Sequence, residues 1–252
     1  MTKPLRVTAL VATSILCLVG LTLCVIYVAQ LRLERRSEAL LNDVGSLKLE
    51  VSTAADVMAI VQKYQGFENT EGWNSGCGPY DSSYEAVIRN DSINRIGMRF
   101  PILRFAVKPQ GAAAQFMLKE GRLHCLIFRV YSFPPHDWKQ LAVQAQAYPD
   151  QPGLGWPPSV PFGVEYVSGK LWIFFTNLRP GATPEERRRA FDFDLSCMRR
   201  TGGCVAACEM MPTAWQEYLK KVREGGLTIP RHELGDSRCA NRIATEPTPA
   251  PD

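Results

Sequence analysis

Three cysteines lie close together in the stretch CMRRTGGCVAAC, which runs from Cys197 to Cys208. Thiols at this density serve zinc ligation, thiol–disulfide redox catalysis or structural disulfide bonding. A zinc site would add His232 and Cys239, but structural zinc sites usually contain two close ligand pairs, and only Cys204 and Cys208 form one. A thioredoxin-type redox site needs C-x-x-C, which the sequence lacks. Disulfide bonding is therefore the favoured chemistry.

The whole chain contains eight cysteines. Cys17 and Cys24 lie in an apolar N-terminal run and are expected to behave as small apolar residues. The remaining six form an even set, which is typical of disulfide bonding in an oxidising compartment. These disulfide candidates are Cys77, Cys125, Cys197, Cys204, Cys208 and Cys239. Their spacing does not choose among the pairings.

Two short constellations could carry acid–base or nucleophilic chemistry. Asp192 and Asp194 alternate in segment 191–195, so a strand would place both carboxylates on one face, where they exchange protons, bind a cation or face solvent. His124 and Cys125 are adjacent in another predicted strand and point to opposite faces, so they cannot pair as base and nucleophile. The sequence also lacks G-x-S-x-G, H-E-x-x-H and phosphate-loop motifs. We predict no catalytic residue and no cofactor, and catalysis stays open.

Two loops combine proline with large aromatic side chains. One is segment 132–138, which ends in Trp138, and the other is segment 153–162, which contains Trp156 and ends in Phe162. Rigid loops that carry Trp and Phe can form a contact surface for a peptide or a glycan. They can equally fold over a sheet and cover its core. These three aromatic residues are the candidate binding residues of the sequence.

The N-terminal run from Val7 to Leu31 has 25 residues without a charge. As a helix it spans about 37 Å, more than the roughly 30 Å hydrocarbon core of a bilayer. A cleaved signal is disfavoured because Tyr27 occupies the −3 position of the candidate cut after Ala29, where a small residue is wanted. A leucine precedes each cysteine of the run, which disfavours a lipoprotein signal. We predict an uncleaved, single-pass membrane anchor.

The orientation of this anchor depends on the cysteines. Lys3 and Arg6 on one side nearly balance Arg32, Arg35 and Arg36 on the other, so the positive-inside rule does not decide. Disulfide bonding places the domain after the anchor outside the cytoplasm and the N-terminus inside. Without Lys3 and Arg6, the chain has 27 basic and 25 acidic residues, and this net charge of +2 is too balanced for a polyanion-binding protein, so no nucleic-acid partner is expected.

Periodicity predicts a helix that continues the anchor to Leu47 and a second helix that is capped at Thr53 and stops at Gly66. A third helix is capped at Thr183, and a fourth covers Ala214–Arg223. Between them lie strand-like segments at 83–90, 96–107, 113–119, 122–131, 140–147, 164–167 and 170–176. Hairpin turns at Glu120-Gly121 and Ser168-Gly169 make the sheet antiparallel. This pattern predicts an α+β fold, with helices on one face of the sheet and disulfides stapling it.

Composition divides the chain into four parts. Residues 1–31 form the cytoplasmic stub and anchor, 32–66 the juxtamembrane helices, and 67–240 an extracytoplasmic α+β domain. The proline-rich segment 241–252 is typical of a disordered tail.

Two runs carry a resemblance to known sequences. LLNDVGSLKLEVSTAADV, from Leu40, and CVAACEMMPTAW, from Cys204, together resemble uncharacterised bacterial membrane-anchored proteins, from which no activity transfers. The start of the second helix, Ser52-Thr-Ala-Ala-Asp-Val57, is similar to that of outer-membrane-assembly lipoproteins of the SmpA/OmlA type. The glycine usual before the Ser-Thr pair is replaced by Glu50-Val51, and a lipobox is lacking, so no function is carried over.

The leading functional hypothesis is a membrane-anchored binding or interaction module of the cell envelope. Its expected partners are the lipid bilayer, through residues 7–31, and an envelope protein or a glycan. Two alternatives remain open. One is an exported enzyme with an unrecognised site around Asp192, Asp194 and His232, and the other is a zinc-stabilised domain.

Overall fold

The computed structural model describes residues 3–69, 77–91, 95, 99, 110–132, 140–147, 162–167, 171–178, 182–200 and 203–224. The helices are α1 (Lys3–Ser46), α2 (Ala54–Lys63), α3 (Pro184–Ala190), α4 (Ala207–Met210) and α5 (Pro212–Arg223), with a 3-10 helix at Ser196–Arg199. The strands are β1 (Phe67–Glu68), β2 (Ser82–Arg89), β3 (Gln110–Lys119), β4 (Arg122–Ser132), β5 (Gln140–Ala147), β6 (Phe162–Val167) and β7 (Leu171–Leu178). A long helix, a run of strands and a set of short helices thus follow one another, as in an α+β fold.

The seven strands form one sheet in the order β1-β2-β3-β4-β5-β7-β6. Every neighbouring pair is antiparallel except β5 and β7, which run parallel. The parallel pair arises because β6 and β7 join the sheet as an antiparallel hairpin in which β7 lies beside β5 and β6 forms the edge. The predicted α+β class is confirmed, and the sheet is mixed at this one pair.

The β3–β4 hairpin is closed by the predicted two-residue turn. Glu120 has φ 52° and Gly121 has φ 72°, which are the positive angles that a type I′ turn requires. The Glu120 amide also donates to Asp81 Oδ2 at 2.6 Å, which fixes the turn to the start of β2. The hairpin therefore sets the register of the two central strands.

The first half of α1 faces outward. Large apolar side chains from Leu10 to Val28 are exposed, and the hydroxyls of Ser14 and Thr22 donate to carbonyl oxygens one turn back in the same helix. Within the described part of the chain, α1 is the one helix whose length and apolar composition would let it cross a membrane. These hydroxyl bonds suit lipid surroundings, because a bilayer offers no water to unpaired polar groups.

The second half of α1 is part of the domain core. One face becomes buried at Ile26 and stays buried through Leu33, Leu40, Val44 and Leu47. This face packs against the 3-10 helix, β2 and β3. The predicted continuation of the anchor helix into the domain is therefore correct, and the helix shows no interruption between its two environments.

Two polar side chains interrupt the apolar face of α1 where it leaves the predicted span. Gln30 is buried, and its Nε2 has no hydrogen-bond partner among the residues that the structure describes. Glu34 is 3% exposed and forms an ion pair with Arg199 of the 3-10 helix, with Oε2 and Nε 2.8 Å apart. Burial raises the pKa of Glu34, and Arg199 opposes that rise. Neutral Glu34 is therefore favoured more in the folded protein than in the unfolded chain.

The helix α2 begins as predicted, with a capping box between Thr53 and Asp56. Gly66 closes the end of α2 as predicted, because its amide donates to the Val61 carbonyl at 2.7 Å, and it has a second role. A Cβ atom at Gly66 would lie 2.5 Å from the backbone oxygen of Glu85 and 3.0 Å from Val61 Cγ1. Glycine is needed here because the chain between α2 and β1 passes directly against strand β2.

The predicted strand at 96–107 is wrong where the structure describes it. Arg99 is helical there, as are Asp91 and Arg95 at the same spacing of four residues. Arg95 Nε donates to the Asp91 carbonyl at 3.3 Å, one helical turn back. The strand was predicted from the apolar residues between these positions. The polar residues at 91, 95 and 99 instead recur every four residues, which is close to the period of a helix.

The predicted short strand at 191–195 is also wrong. The segment is irregular after α3, and Asp194 Oδ1 accepts a hydrogen bond from the Ser196 amide at 2.9 Å. A side chain that binds the backbone two residues later forms a local turn, which competes with strand formation.

Replacement of Gly66 by alanine tests the close approach of the chain to β2. We expect Gly66→Ala to lower the free energy of unfolding by about 1–3 kcal/mol, because backbone must move to admit the methyl group. Gly45→Ala is the matched control, since a Cβ at Gly45 meets nothing within 4 Å and alanine favours the helix. Thermal unfolding of the purified full chain measures both changes. Equal melting temperatures for the two variants would contradict the assignment.

The buried Glu34 carboxylate predicts a pH-dependent stability difference. Below about pH 4 the carboxyl group is protonated in both the folded and the unfolded chain, so its ionisation does not change the free energy of unfolding. As pH rises through the ordinary carboxyl pKa toward the raised pKa of the folded state, ionisation favours the unfolded chain, which stays hydrated. Glu34→Gln should therefore melt at a higher temperature than the native chain at pH 7, and this gap should narrow toward pH 4.

The control for this experiment is Glu217→Gln. Glu217 pairs with Arg189 at 3.4 Å on the exposed helical surface, so removal of its charge should change stability little. A native chain more stable than Glu34→Gln at pH 7 would show that attraction to Arg199 outweighs the desolvation of Glu34.

Candidate functional site

The clustered cysteines form disulfides. Cys197 and Cys204 are joined, with Cα atoms 4.9 Å apart, and Cys77 is joined to Cys125, with Cα atoms 5.9 Å apart. Cys208 is disulfide-bonded as well. Sulfur atoms in disulfides offer no thiolate to zinc, and no group of three His, Cys, Asp or Glu among the described residues could hold a metal ion.

The turn closed by Cys197 and Cys204 connects three parts of the domain. Arg199 pairs with α1 through Glu34, and the Met198 carbonyl accepts a hydrogen bond from Gln110 Nε2 of β3 at 2.6 Å. Further contacts join the turn and the residue after it to α4: Arg200 Nη1 lies 3.0 Å from Glu209 Oε1, and the Val205 amide donates to Glu209 Oε2 at 3.0 Å. These contacts indicate a structural role for the stretch.

The acid–base candidates are used in local structure. Asp192 Oδ2 accepts a hydrogen bond from Thr213 Oγ1 at 2.6 Å, which ties the start of α5 to the end of α3. His124 Nδ1 lies 2.8 Å from Glu50 Oε1, in the bulge between β3 and β4. The third member of the enzyme hypothesis, His232, lies outside the described residues, as does Cys239.

The aromatic binding candidates remain predictions. Trp138 and Trp156 lie outside the described residues, and Phe162 is the first residue of β6.

A groove of about 510 Å³ lies between the end of α1 and α3, lined among others by Leu41, Gly45, Arg187 and Phe191. Arg187 Nη1 donates to the Leu47 carbonyl at 2.7 Å, so its charge closes the C-terminal end of α1. This contact indicates that Arg187 supports the fold of the groove.

A set of polar residues lies on the face of the sheet opposite the helices. We name it the polar strip, and it consists of Glu85 on β2, Gln115 on β3, Arg129 on β4, and Gln144 and Gln146 on β5. These residues alternate along their strands with the residues of the main core, so they point to the second face. Glu85 is directly opposite Gln115, and Arg129 is directly opposite Gln144.

Hydrogen bonds connect members of the polar strip to each other and to nearby residues. Arg129 Nε donates to Gln144 Oε1 at 2.9 Å. Asn69 Nδ2, beside β1, donates to Glu85 Oε2 at 3.2 Å. Gln115 Nε2 lies 3.4 Å from Ser83 Oγ, at the long limit of a hydrogen bond.

The charges of the strip act on one another. Burial raises the pKa of Glu85, while Arg129 and Arg89 oppose that rise by electrostatic attraction. Burial also raises the pKa of Tyr131. The positive charge of Arg89 lowers this pKa, and the negative charge of Glu85 raises it. The strip therefore contains one acid and one base that compensate each other, with a phenol and a second arginine beside them.

Small residues and two apolar clusters surround the polar strip. Gly111 leaves space for the Tyr131 ring, because a Cβ at this position would collide with the Tyr131 hydroxyl and with the Ile88 carbonyl. At one end lies a cluster held by the Cys77–Cys125 disulfide, and at the other Tyr131 packs beside a second cluster. The clusters contain Cys77, Met117, Cys125 and Ile127, and Ala142, Ile173 and Phe175.

The glutamines of the strip are buried although they are polar. Exposed fractions are 8% for Gln115, 2% for Gln144 and 7% for Gln146. Gln146 forms no hydrogen bond with any described residue, although an amide can donate twice and accept twice. The amide atoms of Gln115, Gln144 and Gln146 are not among the buried side-chain atoms that lack a partner in the described part of the chain, so each amide is either hydrogen-bonded or in contact with solvent.

The sequence contains a signal for this site that its motifs did not show. In β5, QLAVQAQA, the glutamines at 144 and 146 alternate with apolar residues, which places both on one face. Alternation predicted the strand correctly. Glutamine is usually exposed, so the alternation alone does not predict burial of this face, which depends on the complete fold.

Comparisons with protein-family models, curated proteins and solved structures return no match to this chain. The fold and site define a class: an α+β domain carried on a long apolar N-terminal helix, with a polar strip on its second sheet face.

Mass mapping of the unreduced full chain tests the cysteine assignments. We expect linked peptides for Cys77–Cys125 and Cys197–Cys204, with Cys17 and Cys24 recovered as free thiols. Cys239 is then the remaining cysteine of the sequence, so Cys208 should be recovered linked to it. Alkylation before proteolysis prevents exchange. Free thiols at all six positions would contradict both the disulfides and a location outside the cytoplasm.

Proposed function

We propose that the chain is a membrane-anchored binding module outside the cytoplasm, and that a neutral glycan of the cell envelope binds at the polar strip. The observation that carries this proposal is the burial of amide side chains beside the compensated pair of Glu85 and Arg129. A sheet face that serves stability alone is usually apolar, because burial of polar side chains contributes less than burial of apolar ones.

The location rests on two features. The apolar helix α1 is long enough to span a bilayer. One disulfide closes the C-terminal turn, and the other links Cys77 to β4. Disulfides persist in oxidising compartments, so the domain would face the outside and the N-terminus the cytoplasm.

The ligand class follows from the chemistry of the strip. Glu85 and Arg129 compensate each other, so neither an anionic nor a cationic ligand is favoured by net charge. Gln115, Gln144 and Gln146 each offer both donors and acceptors, which match hydroxyl groups that also donate and accept. Tyr131, which is partly exposed beside one of the buried apolar clusters, offers an aromatic ring for the carbon–hydrogen face of a sugar ring.

A glycan array probed with the purified full chain in neutral detergent tests this function. We expect a neutral oligosaccharide to bind, and Glu85→Gln or Arg129→Gln to weaken it by about tenfold or more, because a charged hydrogen bond is lost. Gln146→Met should also weaken binding, because methionine offers no amide donor or acceptor to a ligand. Titration calorimetry with the strongest array ligand measures the affinities.

The matched control is the double variant Arg189→Gln/Glu217→Gln, which removes an arginine–glutamate pair from the helical surface. Its affinity should equal that of the native chain. Retention of native affinity by Glu85→Gln, Arg129→Gln and Gln146→Met would overturn the strip as the binding site. Absence of any saccharide binding by the native chain would overturn the ligand class.

A further inference from the structure

Three arginines follow the apolar segment of α1 directly. Arg32, Arg35 and Arg36 are all exposed, and none forms an ion pair with a described residue. They begin one residue after Leu31, where the uncharged run ends. At the rise of an α-helix they occupy a layer about 6 Å deep, which is the depth of lipid headgroups at the end of a spanning helix.

The arginines share one side of the helix. At about 100° per residue, Arg32, Arg35 and Arg36 fall within a sector of roughly 100°. The buried face that contains Leu33 and Ser37 lies on the other side of α1, against the domain. The guanidinium groups therefore face away from the domain and toward the surroundings of the helix.

Burial on α1 shows how close the domain lies to the membrane. Ile26 and Gln30 are buried, and both belong to the last turns of the apolar run. Tyr27, in the same turns, is exposed, as expected for an aromatic side chain at a membrane interface. The domain thus occupies one side of the helix at the bilayer surface, and the arginines occupy the opposite side.

Nearby acids leave this positive charge largely uncompensated. Glu34 is paired with Arg199 of the 3-10 helix, and Glu209 is paired with Arg200, the residue after that helix. Glu38 is exposed, but it lies beyond the three arginines in the chain, on the side away from the bilayer.

We propose that Arg32, Arg35 and Arg36 form a binding surface for the phosphate groups of anionic phospholipids in the leaflet where α1 leaves the bilayer. Guanidinium groups bind phosphate oxygens through paired hydrogen bonds, and clustered arginines near the surface attract anionic lipids. This inference needs the membrane span but is independent of the polar strip and of its ligand.

Native mass spectrometry of the full chain tests this surface. The protein, purified in neutral detergent, is mixed with equal amounts of phosphatidylglycerol and phosphatidylcholine, and the retained lipids are counted. We expect the native chain to retain more phosphatidylglycerol than phosphatidylcholine. The triple variant R32Q/R35Q/R36Q should reduce that preference by roughly tenfold or more, given the attraction expected for each arginine.

The control triple variant is K48Q/R188Q/K220Q, which removes three exposed positive charges from the domain, away from the end of the span. It should keep the native preference, and both triple variants should keep the native melting temperature. Equal retention of the two lipids by the native chain would overturn the proposal. So would an unchanged preference in R32Q/R35Q/R36Q, or an equal loss in the control.

Discussion

The continuity of α1 is the constraint on which the rest of the molecule depends. The same helix exposes apolar side chains to its surroundings in its first half and supplies Leu40 and Val44 to the domain core in its second. An apolar face that already belongs to a helix needs a partner, and β2, β3 and the C-terminal turn provide it. The domain therefore cannot fold completely without the helix that carries it.

The sheet separates two kinds of packing. On the helical face, large side chains such as Phe116, Phe128 and Phe174 form a continuous apolar core with Trp215. On the second face, small apolar clusters alternate with buried amides and a compensated charge pair. Stability thus comes mainly from the first face, so the second face can carry polar groups at less cost to the fold.

Local sequence signals predicted much of this fold. The capping boxes at Thr53 and Thr183 and the Glu120-Gly121 turn depend on neighbours within a few residues, so their physics is visible in the sequence. Features that depend on distant contacts were not predicted. Gly66 follows the end of α2 as its position predicts, but its close approach to the Glu85 carbonyl depends on another element.

The candidate site was harder to predict than the fold. Cysteines and tryptophans attract notice in a sequence because of their chemistry, yet the polar strip is made of glutamines and one arginine–glutamate pair. Arg129 and Glu85 lie on strands that are not neighbours, and the strand order that brings them together follows from the whole sheet. The local sequence does not determine that strand order, so it does not predict that these two residues lie close together.

The unbroken geometry of α1 also determines how far the domain can reach. From Leu31 to Ser46 the helix rises only about 22 Å, and its buried face holds the sheet beside it over this distance. No flexible tether separates the last apolar turn from the first buried residues of the core. If the apolar half of α1 spans a bilayer as proposed, the domain is held at a fixed height, and a binding partner must come into a thin layer next to the membrane surface.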